Sequence, residues 1–325
     1  MLTSNIYTQF VKPRPFSFVT YYQNLDAKRR NTHNQNSHFN LTKKYSSGNL
    51  SEGAKKRLKK CINSQVLRDI SFLKSNRKRY PHRSTFLTLI TLTLSSKQIH
   101  CDKFIKANLL NTFLVNCRRM FPNLSYVWKA EVQKNGNLHF HILSNIRLQS
   151  WEVQLLWNRI QDYYGYLQDF KLKYNRTNPP STDINYLRKI KNVQAYLTEY
   201  MSKNEDIRPI CGKNWGASTD LLNVSFNSEF LTGKIEEELW KLNSISKIIK
   251  VEDKAINIII PNMDKFTESE FPQLYRSMFE PLESIPIFTK YSSQYNNMIT
   301  ATKNLEYINT QLKTIKKNCH ETIKI

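Results

Sequence analysis

The chain is 325 residues long, enough for one large domain or two small ones, and carries 49 Lys+Arg against 26 Asp+Glu, a formal charge of +23. Such an excess is not incidental and points to an anionic partner, usually nucleic acid; residues 1–85 alone hold 18 basic against 3 acidic residues. No run of about 18 apolar residues occurs, which excludes an expected membrane span, and five cysteines (Cys61, Cys101, Cys117, Cys211, Cys319) with no Cys-x-x-Cys exclude a disulfide scaffold and a zinc ribbon.

The first residues, Met1 to Phe10, lack a charged region followed by an apolar core, so they do not read as a signal peptide. Residues 1–45 are polar and Asn-rich, with Lys28-Arg29-Arg30, and read as a poorly ordered basic arm. Ser51 has the character of a helix N-cap. After it Ala54, Leu58, Cys61, Ile62, Val66, Ile70 and Leu73 recur at helical spacing. The opposite face carries Lys55, Lys56, Lys59, Lys60 and Arg68 and is either a DNA-backbone contact or an ordinary surface face. Arg77-Lys78-Arg79 and Arg83 follow as a basic linker. Phe86 to Leu94, rich in β-formers, predicts a buried strand, and 103–119 predicts a helix ending in Arg118-Arg119. Trp151 to Tyr164 predicts a second helix with Trp151, Leu155, Ile160 and Tyr164 near one face. Tyr174 to Pro180 is a loop, Thr182 to Tyr186 a short edge strand, Lys189 to Lys203 a third helix, and 231–325 mainly helical. The expected class is α+β, an antiparallel sheet with covering helices, plus a basic N-terminal helical region and a mainly helical C-terminal region. The expected division is 1–84, 85–230 and 231–325.

Between the first and second predicted helices, Tyr126 to Gln133 runs into Lys134-Asn135-Gly136 and then Leu138-His139-Phe140-His141-Ile142, a β-hairpin pattern. A two-residue Asn-Gly loop would pair Val132 with His139 and turn Glu131 to the wrong side. A three-residue loop with Gly136 left-handed at a bulge pairs Glu131 with His139. One face then carries Trp128, Ala130, Val132, Leu138, Phe140 and Ile142, and the other Lys129, Glu131, Gln133, His139 and His141. This clean alternation favours the second register, because a one-residue slip would scramble both faces. Glu131, His139 and His141 converge on the polar face as a two-imidazole, one-carboxylate set; taken without Glu131, the histidines would read as solvated.

On the helix expected at Lys189 to Lys203, Tyr196 and Tyr200 lie four apart and so share a face, with Lys203 one turn beyond. A phenol with a pKa near 10 is a poor nucleophile unless a cation or metal assists. By themselves the two tyrosines are equally packing residues with wet hydroxyls.

A Thr-Leu-Thr-Leu strand (Thr91 to Leu94), then Glu131-x-Gln-x-x-Gly136-x-x-His139-x-His141, then Tyr196-x-x-x-Tyr200-x-x-Lys203 resembles the HUH endonucleases. More narrowly it resembles the rolling-circle replication initiators of phages and plasmids, including the filamentous-phage gene II type. Gly212-Lys-Asn-Trp215-Gly216-Ala-Ser218 is similar to a Gly-Arg-x-Trp-Gly-x-Ser segment of such proteins. The resemblance spans about 86–220 and leaves out the N-terminal basic helix and the last hundred residues.

The resemblance implies an HUH endonuclease core, metal ligation by His139 and His141 with Glu131 third, a nucleophile at Tyr196 or Tyr200, and Lys203 beside it. Mg²⁺ or Mn²⁺ would be the cofactor, although two imidazoles and a carboxylate suit several first-row ions. It implies site- and strand-specific nicking and rejoining of single-stranded DNA at an origin, through a 5′-phosphotyrosine, in the cytoplasm of a bacterial host. One departure is Glu199, where relatives often carry Lys. Lys55, Lys56, Lys59, Lys60, Arg77, Lys78 and Arg79 would bind DNA phosphates, with salt-sensitive affinity. Thr91 and Thr93 line the DNA face or are packed strand threonines. The nearest P-loop match, Gly48 to Lys55, has Ala54 where lysine must follow the second glycine, so a host helicase and polymerase are implied partners. An HUH transposase, a conjugative relaxase and a non-catalytic DNA-binding protein are the competing readings.

Overall fold

The computed structural model describes residues 7–24, 50–187, 193–202, 208–251 and 255–287. The chain begins with β1 (Tyr7–Arg14) and β2 (Ser17–Asn24), paired antiparallel from Tyr7↔Asn24 to Arg14↔Ser17. The basic arm expected over 1–45 is therefore a hairpin across 7–24. Its period-two signal is blurred because both faces are partly covered. Val11 and Phe18 enter the core, while Phe10 stacks on Tyr21 at 5.6 Å and packs on Phe230 at 4.7 Å.

α1 (Glu52–Ser75) starts at Ser51, whose hydroxyl accepts from the Ala54 amide at 3.2 Å, as its N-cap character predicts. The predicted stripe is its inner face: Leu58, Cys61, Ile62, Val66 and Leu73 are buried. β3 (Thr88–Thr93) follows, then one continuous helix, α2, made of Asp102–Phe104, a π-helical stretch Ile105–Leu110 and Asn111–Met120. β4 (Tyr126–Val132) and β5 (Leu138–Ser144) form the predicted hairpin.

After it come α3 (Ser150–Tyr163), α4 (Gln168–Tyr174), β6 (Thr182–Asn185), α5 (Val193–Ser202) and β7 (Trp215–Ala217). The buried side of α3 is Val153, Trp157 and Ile160; of the predicted stripe only Ile160 is buried, Leu155 and Tyr164 are half-buried and Trp151 is exposed. The indole of Trp157 reaches the sheet and donates to the Thr93 carbonyl at 2.7 Å, which fixes the rotation of α3.

The remaining elements are α6 (Thr219–Asn223), β8 (Glu229–Phe230), α7 (Gly233–Asn243), β9 (Ser246–Val251), β10 (Ile256–Pro261) and α8 (Pro272–Phe279). The C-terminal region expected to be mainly helical thus contributes two strands. β10, Ile-Asn-Ile-Ile-Ile-Pro, is an apolar run too short for periodicity to separate strand from helix.

Two five-stranded antiparallel sheets result, in the orders β8-β1-β2-β10-β9 and β6-β3-β5-β4-β7. The first joins the N-terminal hairpin to strands from 229–261, because β10 pairs with β2 and β8 with β1.

The second sheet has two unlike faces. On one, Ile90, Leu92, Ala130, Val132, Leu138, Phe140 and Ile142 are buried against α2 and α3. Burying side chains of this size contributes on the order of 2–3 kcal/mol each. On the other, a single apolar row of Leu89, Leu143 and Val127 joins the core that contains Ile62 and Val66 of α1 and Leu197 and Met201 of α5. The next two rows on that face are polar: Thr91–His141–Lys129 and Thr93–His139–Glu131.

Candidate metal centre and tyrosine helix

The β4–β5 register pairs Glu131 with His139 and Lys129 with His141. The three-residue loop is as predicted: the Gln133 amide donates to Asn137 O at 2.8 Å, and Gly136 sits at φ +85°. An L side chain rarely adopts that conformation, so the glycine lets the turn close in the register that faces Glu131 toward the histidines.

Glu131 Oε2 lies 3.2 Å from His141 Nε2 and 3.4 Å from His139 Nε2. One donor atom from each of the three residues falls within 4.8 Å of the others. Two donors on an ion at roughly 2.1 Å, at right angles, are roughly 3.0 Å apart, so this set is close to the spacing a small divalent ion needs. His139 Nδ1 is buried and has no hydrogen-bond partner, whereas its Nε2 points at the shared carboxylate oxygen. Two imidazoles and a carboxylate fit a first-row divalent ion. Glu131, His139 and His141, predicted as ligands, are brought together.

The second carboxylate oxygen has a different partner. Lys129 Nζ is 2.5 Å from Glu131 Oε1, and the Lys129 side chain is only 3% exposed. Burial alone would raise the Glu131 carboxyl, but hydrogen bonds from His139 and His141 and the Lys129 ammonium outweigh it and hold the group well below the usual carboxylate range. Burial, partly opposed by Glu131, lowers His141, which keeps its imidazole neutral and available as a ligand. Thr91 Oγ1 lies 3.2 Å from His141 Nδ1, so the hydroxyl can accept an N–H there once an ion takes the place of the Nε2 proton that faces Glu131. Thr91 thus belongs to the site; Thr93 lies one row on, opposite His139. The sequence signal for Lys129 is its place two residues before Glu131 on one strand face, which by itself assigns no role.

α5 lays the tyrosines over this face. The Tyr200 hydroxyl is 3.2 Å from both ring nitrogens of His141, aligned with neither lone pair, and the two rings meet edge-on at 4.8 Å. Tyr196 stacks on Tyr200 with centroids 5.6 Å apart and planes 13° apart. Burial, with Glu131, Tyr196 and Asp183 nearby, pushes the Tyr200 phenol up to about 12. Asp183 pairs with Thr91 across β3–β6 and so shares the polar face. Glu199 is exposed. Lys203 lies outside the described residues.

The Gly212–Ser218 segment supplies β7, which pairs Trp215 with Lys129 and Gly216 with Trp128. A Cβ on Gly216 would stand 2.6 Å from Trp128 Nε1, so only glycine lets the indole lie against this edge strand. The expected DNA contacts are dispersed. Lys56 and Lys59 are exposed on α1, and Arg77, Lys78 and Arg79 are exposed just after it. Lys55 pairs with Glu52 at 2.8 Å. Lys60 donates to the Val224 carbonyl and Arg68 to the Ile285 carbonyl at 3.4 Å, so each ties a later segment of the chain to α1. No helix among the described residues is long and apolar enough to cross a membrane.

Residues 87–205 match the family model of the replication-associated proteins of the filamentous-phage gene II type. The resemblance read from the strand, histidine and tyrosine motifs therefore holds over this segment, which contains Glu131, His139, His141 and both tyrosines. Comparison with curated proteins and with solved structures gives no match.

Proposed function

We propose that this protein initiates rolling-circle DNA replication by metal-dependent nicking and rejoining of single-stranded DNA through a 5′-phosphotyrosine. The observation that carries the reading is the Tyr200 hydroxyl, placed 3.2 Å from His141 within a cluster of Glu131, His139 and His141. A tyrosine suspended over an imidazole–carboxylate set is what a phosphodiester transfer needs: a nucleophile and a means of neutralising phosphate charge at one point.

Glu131, His139 and His141 would hold Mg²⁺ or Mn²⁺. When bound, the ion would draw charge from the non-bridging oxygens of the target phosphate. Thr91 and Lys129 orient the ligands. A phenol at about 12 is almost wholly protonated at neutral pH, so it must lose its proton as it attacks. The 5′-phosphate passes to the phenol and the 3′ oxygen leaves as a hydroxyl that primes synthesis. Each phosphodiester is exchanged for another, so no external energy source is required. The second tyrosine cleaves the regenerated site and the ends are rejoined. The exposed cations on and after α1, among them Lys56, Lys59, Arg77, Lys78 and Arg79, would supply phosphate contacts. A host helicase and polymerase complete the replication machinery, in a bacterial cytoplasm.

The test is nicking of a supercoiled plasmid carrying the origin DNA that neighbours the coding sequence, with Mn²⁺, read on a denaturing gel. The wild type is expected to give a nick and a protein–DNA adduct, both absent from the Tyr196→Phe/Tyr200→Phe variant and from His141→Ala. Salt-sensitive binding without nick or adduct would leave a non-catalytic DNA-binding protein. Cleavage confined to a transposon end or a transfer origin would make it a transposase or relaxase.

A further inference from the structure

The two tyrosines are equivalent in sequence spacing but not in position. Tyr200 reaches His141; among the described contacts Tyr196 reaches the site only through the Tyr200 ring. Four residues of helix separate them, a rise of about 6 Å and a turn of about 40°. Bringing Tyr196 to the place of Tyr200 would therefore need α5 to slide by about a turn and to rotate.

Its other side resists that movement. Leu197 and Met201 are fully buried in the core shared with Ile62 and Val66 of α1. Between them lies a polar contact: Asn63 Oδ1 accepts from the Thr198 hydroxyl at 2.9 Å and from the Gln194 amide at 3.3 Å. A single acceptor bonded to side chains four apart reads both the rotation and the height of the helix. Asn63 lies outside the segment that matches the replication-associated family, so the setting of the tyrosines comes from a helix that the family motifs do not describe.

We propose that Tyr200 is the initiating nucleophile, that Tyr196 is held one turn back for the second transfer, and that Asn63 is the positioning residue that sets this order. This rests on the nicking function proposed above. In the first step the Tyr200 phenol oxygen bonds to phosphorus as the P–O3′ bond breaks. The phenolic proton passes to water and the departing 3′ oxygen takes one up, so no oxidant, reductant or nucleotide is consumed. For the second transfer α5 must let go of Asn63 and shift by about a turn, which carries the DNA-bound Tyr200 away from His141 and brings Tyr196 beside the cluster.

The experiment uses the full chain. After cleavage of the origin plasmid with Mn²⁺, the DNA-linked peptide is mapped by mass spectrometry. The adduct is expected on Tyr200 in about 100-fold excess, because misplacement of a nucleophile by as little as about 1 Å costs that much. Asn63→Ala should move a measurable share of adduct to Tyr196, while Asn63→Asp, which keeps the acceptor, should restore the wild-type ratio. A second readout needs no cleavage: with 3-fluorotyrosine incorporated, Mn²⁺ should broaden the ¹⁹F signal of Tyr200 beyond that of Tyr196, and Asn63→Ala should narrow the difference. Melting temperature and Mn²⁺ affinity, followed alongside, should stay near wild type in Asn63→Ala. Adduct on Tyr196, or equally on both, overturns this order and leaves the nicking function standing. An unchanged ratio in Asn63→Ala overturns the role of Asn63. Absence of any wild-type adduct overturns the order and the nicking function together.

Discussion

Glu131→Leu should destabilise the metal-free protein through a residue other than Glu131. The substitution removes the carboxylate that meets Lys129 Nζ at 2.5 Å, and the lysine side chain is 3% exposed and cannot turn to solvent in place. Breaking a buried ion pair by removing one partner costs about 3–5 kcal/mol. The Glu131 side chain is 25% exposed, part of its charge is already solvated, and Lys129 keeps a further interaction, which places the cost at the low end, near about 3 kcal/mol. At roughly 2 °C per kcal/mol for a chain of this size, the melting temperature in EDTA should fall by roughly 6 °C. Adding Lys129→Met should recover most of that loss, since an apolar pair of similar volume carries no desolvation cost. Metal separates stability from function. Wild type should gain about 2.7 kcal/mol at an Mn²⁺ concentration 100 times its dissociation constant, whereas neither variant should respond. Thermal melts of the three proteins with EDTA and with Mn²⁺ make the comparison. If Glu131→Leu melts with the wild type in EDTA, or the double variant melts no higher than the single, the ion-pair argument is wrong.

Three further outcomes follow from the geometry. Gly216→Ala places a Cβ 2.6 Å from Trp128 Nε1 and should cost about 1–3 kcal/mol, read as a lowered melting temperature; an unshifted melt would show that the indole yields freely. Burial pushes the Asp69 carboxyl up to about 6 despite hydrogen bonds from Thr85 and Phe86. A raised folded-state value means that its stabilising contribution is present below about pH 4 and is lost as pH rises through 6, by about 3 kcal/mol over the whole interval. Asp69→Asn should accordingly gain on wild type in urea melts between pH 4 and 6, and parallel stability curves would refute the assignment. Lys56→Ala/Lys59→Ala should weaken binding to single-stranded DNA and reduce the slope of log K against log salt by up to about 1.4. An unchanged slope would move the DNA path away from α1.

The legible parts of the chain were those where one short-range rule had a single consequence. The Gly136 turn and the alternation along Tyr126 to Ile142 fixed the hairpin register, and the structure repeats it residue for residue. Ser51 and the stripe on α1 were readable because one face of that helix is buried along its length. Residues 7–24 were not, because Phe10 and Val11, neighbours on opposite faces of β1, are both buried and the period-two signal is lost. β9 and β10 were missed because an isolated apolar run does not reveal whether another strand waits elsewhere in the chain. That other strand is β2, at the opposite end of the described chain from β10. Lys60 and Arg68 looked like free cations on a helical wheel, yet they donate to the carbonyls of Val224 and Ile285.

By itself the sequence determined which residues could meet on one strand face and one helix face: Glu131 with His139 and His141, and Tyr196 with Tyr200. Those relations depend on periods of two and 3.6 residues and survive in any tertiary setting. Only the tertiary structure decided that Lys129 closes on the far oxygen of Glu131, that α1 seats α5 through Asn63, and that Tyr200 rather than Tyr196 overhangs His141. These depend on how deeply each side chain is buried and on which apolar faces find one another across long stretches of chain, and local periodicity carries no information about either.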